Sequence, residues 1–292
     1  MVQATLGVIG GSGFYDLPGL TDVRELEIGS PWGAPSANPK EGRIGSTRIV
    51  FLPRHGIGHR LSPSDINYRA NIDVLKRAGV TDLVSLSACG SYREDLPPGM
   101  FVLADQFIDR TFRRETSFFG EGCVAHVAFS DPISPNLLAR LALAASAEGL
   151  PHVIGGAYVC MEGPQFSTRA ESVAYKAMGA SVVGMTNMPE AKLAREAEIS
   201  YATVAMVTDY DAWRPHEAGA EVSAILAVMQ SNGEAGKRLV AKLAADFPSE
   251  REPCPVGSDR ALDFAIVTAP AQRDPALLAK LDAVAGRVLG AA

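Results

Sequence analysis

Several large classes of protein leave marks that this sequence lacks. Only four of its 292 residues are cysteine, and Cys89, Cys123, Cys160 and Cys254 are scattered. Their spacing forms neither a paired metal-binding motif nor a secreted disulfide framework. No stretch is long and apolar enough to span a bilayer. There is no long basic run and the formal net charge is −6, which argues against a nucleic-acid partner. An anionic substrate therefore has to be held by local donors, because the overall charge does not attract it. No basic leader precedes the apolar run Thr5–Ile9, so a cytoplasmic location is expected. No internal repeat and no boundary before Pro248 is visible, which predicts one domain over 1–292.

What remains is ordinary for a globular enzyme, 47% hydrophobic and 21% charged. The most informative stretch is Tyr201–Val207, an apolar run rich in β-branched residues, followed by Thr208-Asp-Tyr-Asp211. The run predicts a buried strand of a mostly parallel sheet. Asp209 and Asp211 then stand where that strand ends, and ligand crevices of open α/β sheets lie at such ends. A solvated acidic loop fits this spacing equally well.

Other predicted strands also end in turns suited to an anion. Thr5–Ile9 runs into Gly10-Gly-Ser-Gly13, whose N–H groups can form a nest, with Ser12 adding a hydroxyl; a plain tight turn is the alternative. Ile49–Leu52 leads into Arg54-His-Gly-Ile-Gly-His-Arg60. Arg54 in such a place suits forked recognition of phosphate oxygens, and a solvated basic turn is the alternative. Asp82–Ser87 ends in a predicted small-residue turn, Ala88–Ser91, with Ser87 as a candidate phosphate hydroxyl. Cys89 lacks a His or Asn pattern that would make it a nucleophile and reads as a small buried residue. Val153–Cys160 leads to a loop with Phe166, an aromatic that belongs either to a core or against a flat heterocycle. Ser181–Met185 leads to Thr186, placed near a helix start by Pro189. Predicted helices cover Asn67–Ala78, Pro135–Glu148, a segment capped by Thr168 and Glu171, Glu221–Ala245 broken near Gly233 and Gly236, and Pro275–Leu289. A strand is expected over Phe101–Ile108.

Taken in order, Gly10-Gly-Ser-Gly13, Pro53-Arg-His-Gly56, Asn67-Tyr-Arg-Ala-Asn71, Ala88-Cys-Gly-Ser91, Met161-Glu-Gly-Pro164, Gly184-Met-Thr186, Pro189-Glu190 and Thr208-Asp-Tyr-Asp211 resemble the trimeric purine nucleoside phosphorylase family, in particular its branch acting on 5′-methylthioadenosine. The resemblance covers about residues 5–247, and residues 248–292 match only loosely. It implies an α/β fold, a single domain with a central mixed β-sheet flanked by helices. It also implies a homotrimer without metal or organic cofactor, with inorganic phosphate as co-substrate. The phosphate site it implies comprises Ser12, Arg54, His55, Ser87, the backbone of Ala88, and Thr186. Met185 would sit against the ribose, Phe166 on the purine, and His59 near the 5′ substituent. Asp209 and Asp211 would bind the base, with Asp209 as catalytic acid. A neighbouring subunit would contribute His126 and Leu289, its tail packing across the subunit boundary. The implied reaction is reversible phosphorolysis of 5′-methylthioadenosine to adenine and 5-methylthioribose 1-phosphate. The alternatives are a phosphorylase of 6-oxopurine nucleosides or methylthioinosine, a hydrolase of the same bond, and a Rossmann-type oxidoreductase. The last would use Asp22, Glu25 or Glu27 on a ribose.

Overall fold

The computed structural model describes residues 2–11, 17–214 and 222–290, with the backbone alone for 222–224. Ser12 lies outside the described residues. The centre of the molecule is a set of parallel strands with almost no exposed side chains. β1 (Leu6–Gly10) pairs in parallel with β4 (Thr47–Pro53) on one side and β5 (Asp82–Ser91) on the other. β11 (Ser200–Asp209) lies parallel to β5 on its far edge and is buried from Ser200 to Thr208. Burial on both faces is why these segments read as continuous apolar runs rather than alternating ones.

Antiparallel additions complete, among the described residues, a single eleven-stranded mixed sheet. β2 (Thr21–Glu25) and β3 (Lys40–Ile44) extend it beyond β4. β2 is fully exposed, and it occupies the place where a dinucleotide-binding fold needs a helix after its glycine turn. The Rossmann reading therefore fails on topology. β6 (Phe101–Leu103) pairs antiparallel with β11 and parallel with β8 (His152–Ile154). β7 (Gln106–Arg110), β9 (Ala157–Met161) and β10 (Ala180–Gly184) form a parallel wing that meets β5 antiparallel through β10.

That junction creates the crevice. On one edge of β5, β1 pairs with Asp82–Ser85 and β10 pairs with Gly90 and Ser91. Among the described residues, Leu86 to Cys89 have no strand partner on that edge. β1 and β10 approach this gap from opposite directions, so both end there.

Helices cover the two faces. α1 (Tyr68–Arg77) is capped by Asn67, whose side chain accepts from the Ala70 N–H, while Ser62 and Asp65 bond to each other in a preceding turn. α2 (Pro135–Ala147) starts from Ser134, and α3 (Arg169–Ala177) from a reciprocal Thr168–Glu171 capping box. α4 (Asn187–Glu196) is non-helical at Met188, so its regular part begins at Pro189. α5 (Val222–Ala245) runs unbroken through Gly233, contrary to expectation. Glycine costs a helix only about 1 kcal/mol. Burial of Leu239, Val240, Leu243 and Ala244 outweighs that.

Other expected boundaries also shift. β5 continues through Ala88–Ser91, where a turn was expected, because β11 goes on pairing with it to Gly90. The segments 101–108 and 153–160 each divide into two strands. Their breaks are tied together, since the Gly156 N–H donates to Asp105 Oδ1 at 2.9 Å. The final helix is two, α6 (Pro275–Lys280) and α7 (Asp282–Leu289), hinged at the fully buried Leu281. This C-terminal segment lies on its own chain: Leu281, Val284 and Ala285 enter the core, Arg77 pairs with Asp282, and Arg287 Nε donates to Glu198 Oε2 at 2.7 Å.

Glu196, at the end of α4, holds the segment after β7. It accepts from Ser117 Oγ and the Phe118 N–H, both at 2.7 Å. Burial pushes its carboxyl up to about 7 in spite of those donors.

Candidate active site

One cavity of about 800 Å³ opens at the gap beside β5. Every described residue expected to touch substrate within one subunit lines it: Arg54, His55, His59, Ser87, Ala88, Phe166, Met185, Thr186, Asp209 and Asp211. His126 and Leu289 do not. His126 is exposed, its N–H bonded to Ala265 O, and Leu289 is half-buried against the core.

The inner end of the cavity is built from strand ends. β4 delivers Arg54 and His55, β5 delivers Ser87 and Ala88, and β10 delivers Met185 and Thr186. Thr186 precedes α4, and its hydroxyl makes no capping bond. Gly184 is required by packing, because a Cβ there would lie 1.8 Å from the Tyr158 hydroxyl.

Arg54 is only 2% exposed, and its guanidinium is engaged by protein groups. Nε and Nη2 donate to Glu190 at 2.7 and 3.1 Å, Nη2 also to Ser85 Oγ at 2.6 Å, and Nη1 to Leu86 O at 3.0 Å. The bidentate pairing predicted for phosphate is thus spent on Glu190, which is fully buried and needs a partner. Burial works against the Arg54 charge, but Glu190 more than offsets it and holds the pKa above its ordinary value. What Arg54 can offer an anion is a remaining Nη1 proton.

His55 differs from a simple donor as well. Its Nδ1 lies 2.9 Å from Leu61 O, so Nδ1 carries the proton and Nε2 is an acceptor. Burial, then the neighbouring Arg54 charge, lowers its pKa to about 4. The neutral ring stacks on His59 at 4.1 Å between centroids. His59 is held at φ 56°, a left-handed conformation unusual outside glycine.

At the outer end, β11 brings Asp209 and Asp211 against Gly90. A Cβ on Gly90 would stand 3.1 Å from Asp211 Cβ and 3.4 Å from Asp209 Oδ2, so this strand position is kept bare. Asp209 Oδ1 accepts from Thr208 Oγ1 at 2.6 Å. Burial raises the Asp209 pKa; the Thr208 bond opposes this and the Asp211 charge adds to it. Asp211 is anchored differently, with Oδ2 accepting from the Tyr92 hydroxyl at 2.8 Å and from Ser172 Oγ at 2.5 Å. Phe166 stands at the mouth, 65% exposed, with an open ring face. Cys89 lies in the wall, and burial followed by the Asp209 charge pushes its thiol well up, which suits packing rather than nucleophilic attack.

Such a cavity joins anion-suited strand ends to a protonatable carboxyl across a short gap. The profile of the Phosphorylase superfamily matches residues 5–245. The chain belongs to that superfamily. It is 68% identical over 289 residues to the S-methyl-5′-thioadenosine phosphorylase of Bradyrhizobium diazoefficiens, covering 99% of both chains. It is 59% identical over 288 residues to that of Cereibacter sphaeroides, again over 99% of both. Among solved structures, a methylthioadenosine phosphorylase from an Antarctic soil metagenomic library superposes with a TM-score of 0.91 at 41% identity, over 97% of this chain and 99% of the other. A variant of the Schistosoma mansoni adenosine/methylthioadenosine phosphorylase, in complex with methylthioadenosine, gives 0.77 at 38% identity, over 83% and 91%.

Sequence reasoning assigned no role to several residues that shape this superfamily site. Tyr92, Ser172 and Thr208 hold the acids, Glu190 holds Arg54, and Ile225 and Met229 of α5 form the far wall. Glu190 and Thr208 sat in quoted motifs; the others carry no signal without the fold.

Proposed function

We propose that this protein catalyses the reversible phosphorolysis of 5′-methylthioadenosine, giving adenine and 5-methylthioribose 1-phosphate. The observation that carries the reading is Asp209: a half-buried acid with a raised pKa, facing the same cavity as Ser87, Thr186 and Arg54. In this reaction a phosphate oxygen bonds to C1′ while the C1′–N9 bond breaks. The bonding pair passes to N9, and Asp209 gives its proton to N7, so adenine leaves neutral. Asp211 accepts from the 6-amino group. Phosphate lies against Ser12, Ser87, Ala88, Thr186 and Arg54, with His55 Nε2 accepting a hydrogen bond from the hydroxyl of hydrogen phosphate. Fixed donors in a site closed to water then serve the nucleophile and the developing cationic sugar. Phe166 packs on the purine, Met185 on the ribose, and His59 stands near the 5′ substituent.

The same reading makes the enzyme a cytoplasmic homotrimer that needs no metal or organic cofactor. In it, 1–292 is one unit whose C-terminal segment reaches a neighbouring subunit. A neighbour would close the 5′ pocket with its His126 and Leu289. An apolar surface around His126 supports this: Phe264 is 99% exposed, Val267 60% and Val124 37%.

An ultraviolet assay with methylthioadenosine, inosine and methylthioinosine, each with and without phosphate, tests the function. Phosphate-dependent cleavage of methylthioadenosine ahead of both 6-oxopurines is expected. Faster cleavage of either 6-oxopurine, or full-rate cleavage without phosphate, would overturn it.

A further inference from the structure

The acid pair is asymmetric in a way the reaction alone does not require. Both carboxyls line one cavity, yet only Asp211 is tied down by two hydroxyls on a single oxygen. Tyr92 follows directly after β5, and its ring is 1% exposed; Ser172 is on α3 and is fully buried. Their hydroxyls reach Asp211 Oδ2 at 2.8 and 2.5 Å. Burial, followed by the charge of Asp211, drives the Tyr92 phenol pKa upward, so it stays a donor. Oδ2 is then filled by O–H groups, and Oδ1 is the oxygen left for the base.

Resting on the function proposed above, we propose that Tyr92 and Ser172 are specificity-determining positioning residues that make Asp211 present only an acceptor to position 6 of the purine. With Oδ2 occupied by two donors, rotation would break both bonds and leave two buried hydroxyls unpaired. A 6-amino group supplies the hydrogen that Oδ1 accepts. A 6-oxo group presents an oxygen to an oxygen and is rejected. Without the two hydroxyls, the Asp211 carboxylate is free to turn its oxygen away from position 6, which relieves the clash of oxygen against oxygen with a 6-oxo group. Selection between the two purine classes then lies one step behind the residue that touches the base.

Tyr92→Phe and Ser172→Ala, singly and together, remove the donors with little change of shape. The measurement is kcat/KM for methylthioadenosine and for methylthioinosine, with the KM for phosphate and a thermal melt on each variant. The expected result is a fall of about tenfold or more in the ratio of the two kcat/KM values in the double variant. It should come mainly from a gain on methylthioinosine, with the phosphate KM unchanged. A ratio equal to that of the parent in folded variants would overturn the inference, as would an equal loss on both nucleosides. Ser172→Ala alone carries the test if Tyr92→Phe does not fold, with a smaller fall in the same ratio expected. Failure of the function itself reads separately, as a parent enzyme that does not prefer methylthioadenosine.

Discussion

In the proposed reaction Asp209 has to keep a proton and release it to a ring nitrogen, and its surroundings suit both demands. Burial and the Asp211 charge raise its pKa, while the Thr208 hydroxyl limits the rise. Asp209→Asn keeps the shape but has no acid to give. It is expected to lower kcat for methylthioadenosine by about 100-fold or more. Phosphate affinity, measured by calorimetry, should stay near that of the parent, because the phosphate donors belong to other strands. A variant retaining most of its turnover would remove Asp209 from the acid role. Of the residues around it, the sequence made Asp209 and Asp211 visible, since two acids after a buried strand are conspicuous. Tyr92 and Ser172 were invisible, because they come from elements 119 and 39 positions away in the chain.

At the scale of elements, β4 and α4 are stapled by Arg54 and Glu190, 136 residues apart, at 2% and 0% exposure. Removing one partner of such a buried pair leaves the other charge without compensation. Glu190→Ala should therefore lower the unfolding free energy by about 3–5 kcal/mol, read from urea denaturation. A loss below about 1 kcal/mol would mean that water replaces the carboxylate. The Arg54 fork suits either anion by residue type, and its pairing with Glu190 became visible only in the fold. Element types were largely legible, from the capping box of α3 to the apolar strands of the centre. Boundaries were not legible where tertiary pairing outweighed local signals. β5 continued through small residues because β11 accompanied it, and α5 ignored its glycine because its far half is buried.

Across the whole molecule, two buried titratable groups act on stability in opposite directions. His55, lowered to about 4, favours the folded state above its unfolded pKa of about 6.5 and loses that contribution as pH falls toward 4. Glu196, raised to about 7, does the reverse, and its contribution is lost as pH rises through that value. Glu196→Gln abolishes the second dependence alone. Its stability relative to the parent, from melts between pH 5 and 8, should improve as pH rises. A constant difference across that range would show that Glu196 titrates as it does in the unfolded chain. The mixed α/β architecture was legible from strand patterning and the quoted motifs together. The path of residues 248–290 was not, because their hold on the body rests on long-range pairs such as Arg287 with Glu198.

The unpartnered stretch of β5 also has a consequence for what the enzyme can be made to accept. Ser87 and Gly90 belong to one stiff strand, three residues and so about 10 Å apart. Under the proposed function, the reach from nucleophile to departing base is metered by backbone rise, like marks on a ruler. Lengthening or shortening surface loops leaves that measure untouched.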